Sequence, residues 1–333
     1  MSVTIKDIAR EANISYSTVS RALSGHPQVN EETRNNILKI ANEMGYTPNA
    51  LAKGLVSKNT YTIGLIISDI TNPFFAEVAQ GVEDCANRYG YQVFLCNSNW
   101  NVQREKECLY RLHSSRVDGI VISPASSDSS HIVDSQFNVP IVFAAQKPQS
   151  NGCNYVTVDD FKSSTIAVEY LVKLGHRKIA YIGGLLNTNS GIARFNGYKS
   201  TLEKHNIPVI LNNIMHGDYT QASGYKLAKE LLLNHELPTA IVAVNDITAL
   251  GVIQAVEEYG LNVPRDISVI GFDDISFASL DKIQLTTIYL PKYGIGEESV
   301  ELLIQKIQNP KDNEGKHKIL EPKLIVRKTC RGI

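Results

Sequence analysis

The chain has 333 residues, 43% of them apolar and 20% charged, with a formal net charge of −1. That length exceeds one helical module and provides for two or three compact units, each able to bury a core. A balanced charge excludes a uniformly basic protein that coats nucleic acid, so any electrostatic footprint on DNA has to be local; residues 1–58 carry seven Lys and Arg against five Asp and Glu, a surplus of +2 that leaves −3 for the rest.

In chain order, the first patterned stretch is Thr4–Leu23, TIKDIAREANISYSTVSRAL. Ile5, Ile8, Ala9 and Ala12 form one apolar stripe of a short helix, with Thr4 and Asp7 as its capping box. Ser15 caps a second helix that buries Val19, Ala22 and Leu23, and only Asn13 and Ile14 remain for the connection. The pattern predicts a helix-turn-helix whose second helix keeps Tyr16, Ser17 and Arg21 off its buried side, where base edges and phosphates of a major groove would lie. Two short amphipathic helices with a tight turn also occur in proteins that never meet nucleic acid. Gly25 and Pro27 then make a turn. Asn30 caps a third helix with Glu31 and Glu32 in its first turn; Ile37, Ile40, Ala41 and Met44 give its apolar stripe, and Gly45 stops it. These segments define a headpiece over 1–47.

Residues 48–60 read as a hinge. Pro48 suits a helix start, and Ala50, Leu51, Ala52 and Leu55 are good helix formers, but so short a helix is marginal alone in water. From Tyr61 short apolar runs alternate with amphipathic segments: the runs are TIGLIIS, YQVFLCN, GIVIS, PIVFAA, YVTVD, KIAYIGG, NIMHG, AIVAVN and ISVIGFDD, with predicted helices after TIGLIIS, YQVFLCN, YVTVD, KIAYIGG, NIMHG and AIVAVN. Buried strands alternating with helices mean parallel sheets covered on both faces. The pattern restarts near Asp160, so the expected core is two doubly wound α/β lobes. The first takes 61–160 with 290–321, the second 161–289 with 322–333, the late segments crossing back to finish each.

Ligands of open α/β sheets bind beyond the carboxyl ends of the strands. There the sequence places Asp69, Phe74, Phe75, Ser123, Gln146 and Lys147 in the first lobe, and Asn187, Thr188, Ser190, Arg194, Asp218, Tyr219, Asn245, Asp246, Asp273 and Asp274 in the second. Aromatic faces with Asp, Asn and Arg suit a polyhydroxylated ring. Each residue also has a structural reading: the phenylalanines as core, the aspartates as helix caps, Arg194 as a surface ion pair. Their shared position at strand ends favours a ligand site.

These segments, taken together, resemble the lactose/galactose repressor family of bacterial transcription regulators. The resemblance runs nearly end to end, through TIKDIAREANIS, STVSRAL, GYTPNALAKGL, IGLIISDITNPFF, LGHRKIAYIGG, VNDITALGVIQAV, VPRDISVIGFDD and LTTI. It implies a helix-turn-helix headpiece joined to a core like the periplasmic sugar-binding proteins, and a partner in double-stranded, pseudo-palindromic operator DNA. Tyr16, Ser17 and Arg21 would read bases and Leu55 would wedge into the central base step, with Thr4, Ser15, Thr18, Asn49, Ala52 and Lys53 among the DNA contacts. The implied effector contacts are Phe74, Phe75, Ser123, Ser190, Arg194, Tyr219, Asn245 and Asp273, beside Asp69 and Gln146 from strand position. Ribose-type members carry an Asp-Arg pair where this chain has Ala145 and Gln146, which points to another monosaccharide, a disaccharide, or a phosphorylated sugar met by Lys147; the purine-repressor branch shows that the fold does not fix the ligand. Without a leucine-heptad tail after KLIVRKTC a homodimer is expected, and a phosphocarrier protein is a possible second partner, as with some relatives.

Other classes fit less well. The five cysteines, Cys85, Cys96, Cys108, Cys153 and Cys330, form no C-x-x-C and no Cys/His ligand spacing, so neither a metal site nor a cofactor is expected. No nucleophile elbow, Walker loop or G-x-G-x-x-G argues for an enzyme; Gly183-Gly184 lacks the third glycine, and His176 reads as a structural hydrogen-bonder. A plain solute-binding protein would carry an export signal and no headpiece. With no leader and no apolar run near ~20 residues, the expected location is the cytoplasm.

Overall fold

The structure, a computed structural model, describes residues 3–24, 26–46, 59–133, 137, 139–311 and 314–333. The chain divides into two compact units, Met1–Thr60 and Tyr61–Ile333. Gly25 and most of the expected hinge, with Asn49, Ala52, Lys53 and Leu55, lie outside the described residues.

The first unit contains helices α1 (Ile5–Glu11), α2 (Tyr16–Leu23) and α3 (Glu31–Glu43). Each starts where a short polar side chain satisfies free backbone donors. Asp7 accepts the Thr4 N–H at 3.0 Å and its hydroxyl at 2.6 Å, Ser15 Oγ accepts the Thr18 N–H at 3.2 Å, and Asn30 Oδ1 accepts the Thr33 N–H at 2.7 Å. Between α1 and α2 the chain reverses through Asn13 at φ 53°, a conformation asparagine tolerates. The three apolar stripes meet in a small core of Ile8, Val19, Ala22, Val29, Ile37 and Ala41. Gly45, at φ 67°, closes α3 as Tyr46 N–H returns to the Ala41 carbonyl at 2.8 Å.

The second unit holds two six-stranded sheets. The first contains β1 (Thr62–Ile67), β2 (Gln92–Asn97), β3 (Gly119–Ile122), β4 (Ile141–Ala144), β5 (Asn154–Val158) and β11 (His317–Leu320), in the order β11-β5-β4-β3-β1-β2. The second contains β6 (Ile179–Gly183), β7 (Ile214–His216), β8 (Ala240–Ala243), β9 (Ser268–Asp273), β10 (Thr286–Tyr289) and β12 (Lys323–Ile325), in the order β12-β10-β9-β8-β6-β7. All pairings are parallel except β10 with β12. The two orders are the same, strand for strand. The chain passes between sheets after β5, after β10 and after β11, all at the β5/β11 and β10/β12 edges.

Helices α4 (Pro73–Arg88), α5 (Val102–Ser114) and α11 (Lys292–Gln308) cover the first sheet, and α7 (Asp160–Lys173), α8 (Asn189–Lys204), α9 (Gln221–Leu231) and α10 (Asp246–Glu258) cover the second. A short helix α6 (Ser130–Val133), absent from the sequence reading, follows β3. Helices α4 and α11 touch backbone to backbone: a Cβ on Gly81 would stand 2.1 Å from the Tyr293 carbonyl oxygen, so a larger residue there would pry the helices apart.

Two expectations change. YQVFLCN is not a buried strand: as β2 it has one neighbour and lies at the sheet edge, with Phe94 and Leu95 exposed. The stretch HKIL, unassigned from sequence, forms β11 beside β5, because its exposed-to-half-buried alternation suits an edge rather than a continuous apolar run.

Candidate functional site

In the headpiece, Tyr16, Ser17 and Arg21 all stand exposed on α2. The other predicted DNA contacts there are occupied by capping. Thr4 is bonded to Asp7, whose carboxyl is held below its usual range by that hydroxyl, and Ser15 Oγ is shared between Ser17 Oγ at 2.9 Å and Thr18 Oγ1 at 2.8 Å. Cap satisfaction holds the helix start rigid and draws the Ser17 hydroxyl into it, which leaves the Tyr16 ring and the Arg21 guanidinium free for a groove.

The core gathers most of its predicted residues around one cavity. It is lined by Asn72, Phe74, Phe75, Trp100, Ser123, Ala145 and Gln146 of the first lobe, and Ser190, Arg194, Tyr219, Asn245 and Asp273 of the second. All follow or end strands at their carboxyl ends, as open α/β sheets require. Asp69 is the exception. Its Oδ1 accepts the Thr71 N–H at 2.9 Å and hydroxyl at 2.6 Å, so its carboxylate closes the loop instead of lining the cavity, and Asn72 stands there in its place. Lys147 is exposed and lines a separate groove.

Arg194 is the electrostatic centre. Its Nε donates to Asp160 Oδ1 at 2.8 Å, its Nη1 donates to the Val244 carbonyl at 2.5 Å, and Asp273 Oδ1 lies 3.8 Å away. The guanidinium also stands 4.9 Å over the Phe272 ring. Burial opposes its charge, but the two carboxylates outweigh that and hold it protonated. Burial pushes the Asp273 carboxyl up to about 7, with Arg194 and Lys292 pulling it back, and raises Asp160 and Asp246 as well. Asp246 accepts the Thr287 hydroxyl at 2.6 Å and the Ile275 N–H at 2.9 Å behind the cavity.

The backbone here departs from ordinary geometry. Trp100 (φ 54°), Ala145 (φ 61°), Tyr219 (φ 70°) and Asp273 (φ 104°) all lie at positive φ, and all line the cavity. For residues with side chains this costs on the order of 1–3 kcal/mol each, so surrounding contacts must impose it. At Asp273 the contact is clear: the buried amine of Lys292 donates to the carbonyls of Asp273 at 2.6 Å and Asp274 at 2.9 Å, while also standing 3.5 Å from Glu77 of the first lobe.

Two buried polar atoms at the cavity have no hydrogen-bond partner among the described residues, Ser123 Oγ and Gln146 Oε1; the Gln146 amide nitrogen is anchored to the Pro124 carbonyl at 2.9 Å. Asn245 is already used: Oδ1 caps α10 through the Thr248 N–H at 2.8 Å, and Nδ2 donates to the Tyr219 carbonyl at 3.1 Å. Its role is to place Tyr219. The sequence reading missed Asn72 and Trp100, although Trp100 follows a strand end just as Tyr219 does. His176 is buried, with Nε2 3.1 Å from the Arg331 carbonyl and Nδ1 2.9 Å from the Thr239 hydroxyl; burial lowers its pKa, so the neutral ring donates from Nε2 and accepts at Nδ1, tying the chain's end to the second lobe.

Among the described residues no helix is long and apolar enough to cross a membrane. None of their His, Cys, Asp and Glu side chains group as a metal site would need.

Comparison with known proteins matches both units. Residues 4–49 match the family described as bacterial regulatory proteins, lacI family, and residues 60–329 match periplasmic binding proteins and sugar binding domain of LacI family. The chain is 40% identical over 305 residues to catabolite control protein A of Priestia megaterium, covering 91% of this chain and 92% of that one. It is 34% identical over 335 residues to the HTH-type transcriptional repressor PurR of Histophilus somni, covering 99% of each. Among solved structures, the Lac repressor dimer bound to operator and the anti-inducer ONPF superposes with a TM-score of 0.90 at 30% identity, covering 99% of this chain and 100% of that one. The chain therefore belongs to the lacI family of bacterial regulatory proteins, as a DNA-binding transcription regulator with an effector-binding core.

Proposed function

We propose that this regulator represses a carbohydrate-utilisation operon, and that its effector is an uncharged sugar bound in the cavity between the lobes. The observation that carries the reading is the charge and hydrogen-bond state of the cavity. Arg194 is already matched by Asp160 and Asp273, and Lys147 faces a different groove, so a sugar phosphate would meet no uncommitted cation among the described lining residues. Ser123 Oγ and Gln146 Oε1, by contrast, are desolvated and unpaired, and hydroxyls of a neutral ring satisfy both. Phe74, Phe75, Trp100 and Tyr219 offer the apolar faces on which such a ring stacks.

The lobes in this reading are 61–160 with 290–321 and 161–289 with 322–333. Lys292, held by carbonyls of the second lobe and facing Glu77 of the first, is suited to carry the difference between bound and free cleft from one to the other. In the headpiece Tyr16, Ser17 and Arg21 read the operator. The exposed edge strand β2, with Phe94 and Leu95, gives a homodimer an apolar seam, and its two-fold symmetry asks for a pseudo-palindromic site. The relatives are transcription regulators, and regulation without catalysis is the function we assign.

A purine is the second reading, favoured by the four aromatic rings. Thermal unfolding with neutral mono- and disaccharides, sugar phosphates and purine bases separates the two. A saturating ligand at 100 times its Kd stabilises by ~2.7 kcal/mol, a shift of several degrees. A shift confined to neutral sugars supports the proposal; one confined to sugar phosphates or to purines sinks it.

A further inference from the structure

Trp100 and Tyr219 face each other across the cleft, their ring centroids 5.0 Å apart and their planes within 14°. Phe75 meets the indole edge-on at 5.8 Å. We propose that this stack is a latch: it holds the lobes closed, and an effector reaches the face of Tyr219 only by displacing the indole, so Trp100 decides which ligand shapes enter. The proposal rests on the reading of this cavity as the effector site.

Topology gives the contact its leverage. Trp100 follows β2 and Tyr219 follows β7, the strands at one edge of each sheet, whereas all three crossings between lobes lie at the opposite edge. Lobes joined along one side and stacked along the other open by parting the stack together with hydrogen bonds between them, among them Ser127 N–H to the Asn187 carbonyl at 2.7 Å and Asn189 Nδ2 to the Lys147 carbonyl at 2.6 Å.

Tyr219 is the fixed half. Its hydroxyl lies 2.7 Å from Thr188 Oγ1, and its ring packs against Gly184, where an added Cβ would come within 2.3 Å of the ring. Trp100 is the movable half: it is only partly buried, on a loop where Asn99 (φ 55°) and Trp100 (φ 54°) both take left-handed backbone. Two adjacent residues of that kind, one of them bulky, persist only while contacts enforce them.

The cavity beside the stack measures about 40 Å³, room for roughly three waters and well under the ~300–1,000 Å³ of ordinary small-molecule pockets. A sugar ring fits only if the two rings part.

Trp100 is the chain's one tryptophan, so emission excited at the red edge of the band, where the 15 tyrosines do not absorb, reports this site alone. The first test is acrylamide quenching of the full-length protein with nothing else added. The expected quenching constant is several-fold below that of the urea-unfolded chain, and Tyr219→Ala raises it toward the unfolded value. Equal quenching in folded and unfolded wild type, or no change in a Tyr219→Ala protein that retains its cooperative melt, overturns the latch. A second variant covers the case in which Tyr219→Ala does not fold. In Trp100→Ala, amide exchange over 185–190 and 217–220 should rise roughly two- to twelvefold, the contribution of one aromatic stack, with 63–67 unchanged. Unchanged exchange at both mouth segments also overturns it. Neither measurement needs an effector, so their failure removes the latch and leaves the carbohydrate reading standing, whereas failure of the sugar panel does the reverse.

Discussion

In the headpiece the outward side chains Tyr16, Ser17 and Arg21 are exposed and stand on a helix whose start is satisfied by its own Ser15, whereas in the core the cavity's Arg194 is buried and charge-matched by Asp160 and Asp273, and Trp100, Ala145, Tyr219 and Asp273 of the lining stand on left-handed backbone. The difference follows from the ligand each surface serves. A duplex brings its own charges and large area, so the protein need only hold donors at a groove's spacing, and solvation keeps them inexpensive until then. A small molecule offers few contacts, each of which has to be prepaid by desolvation and strain. Function in the headpiece is therefore separable from folding, and in the core it is not.

The sharpest way to break this contrast is Arg194→Met. It leaves Asp160 and Asp273 buried without their counter-ion, a loss of about 3–5 kcal/mol in urea unfolding of the core, and the loss should shrink at low pH as those carboxyls protonate. A loss under about 1 kcal/mol at pH 8 would mean that Arg194 is not the electrostatic keystone.

Arg21→Ala tests the other side. Operator affinity should fall by about 1–3 kcal/mol in a titration against duplex DNA, with core unfolding unchanged within about 0.5 kcal/mol. A lower core melting point would show that recognition and folding are not separate there.

A pH-graded effect sharpens the buried side. The Asp273 carboxyl titrates at about 7 in the folded chain against the ordinary 3.8, so folding favours its protonated form. Its contribution is full below pH 3.8 and is lost as pH rises to about 7, at up to about 1.4 kcal/mol per pH unit. Wild-type stability should therefore decline relative to Asp273→Asn across that window. Parallel stability profiles for the two proteins would count against a buried, raised Asp273.

How far the fold and site were legible depended on range. The caps Thr4, Ser15 and Asn30 and the strand–helix alternation are local signals, and the structure has them where their chemistry asks. Nine of the ten candidate effector residues reach one cavity because strand ends converge by topology. Asp69 does not, and its sequence held the reason: an Asp two residues before Thr71 is an Asx turn. Trp100 was legible by the strand-end rule but was passed over in a polar loop. What no local pattern could show is long-range: the edge position of β2, the reach of Lys292 to Glu77, and the room that Gly184 leaves for a ring 35 residues later.

The interleaved sheets also set an order of manufacture. The first sheet opens with β1 at Thr62 but gains its last strand, β11, only at Leu320, and the second waits for β12 and for Thr329, whose hydroxyl donates to the Val269 carbonyl. At ~5–20 residues per second a ribosome takes roughly 13–50 s to travel from the first strand to the eleventh. From its synthesis until β11 emerges β5 has an open edge, and α4 waits for α11, its packing partner, until residue 308. Both sheets wait for strands after residue 316, so this chain depends on protection during synthesis for far longer than its headpiece, which is finished within the first 46 residues.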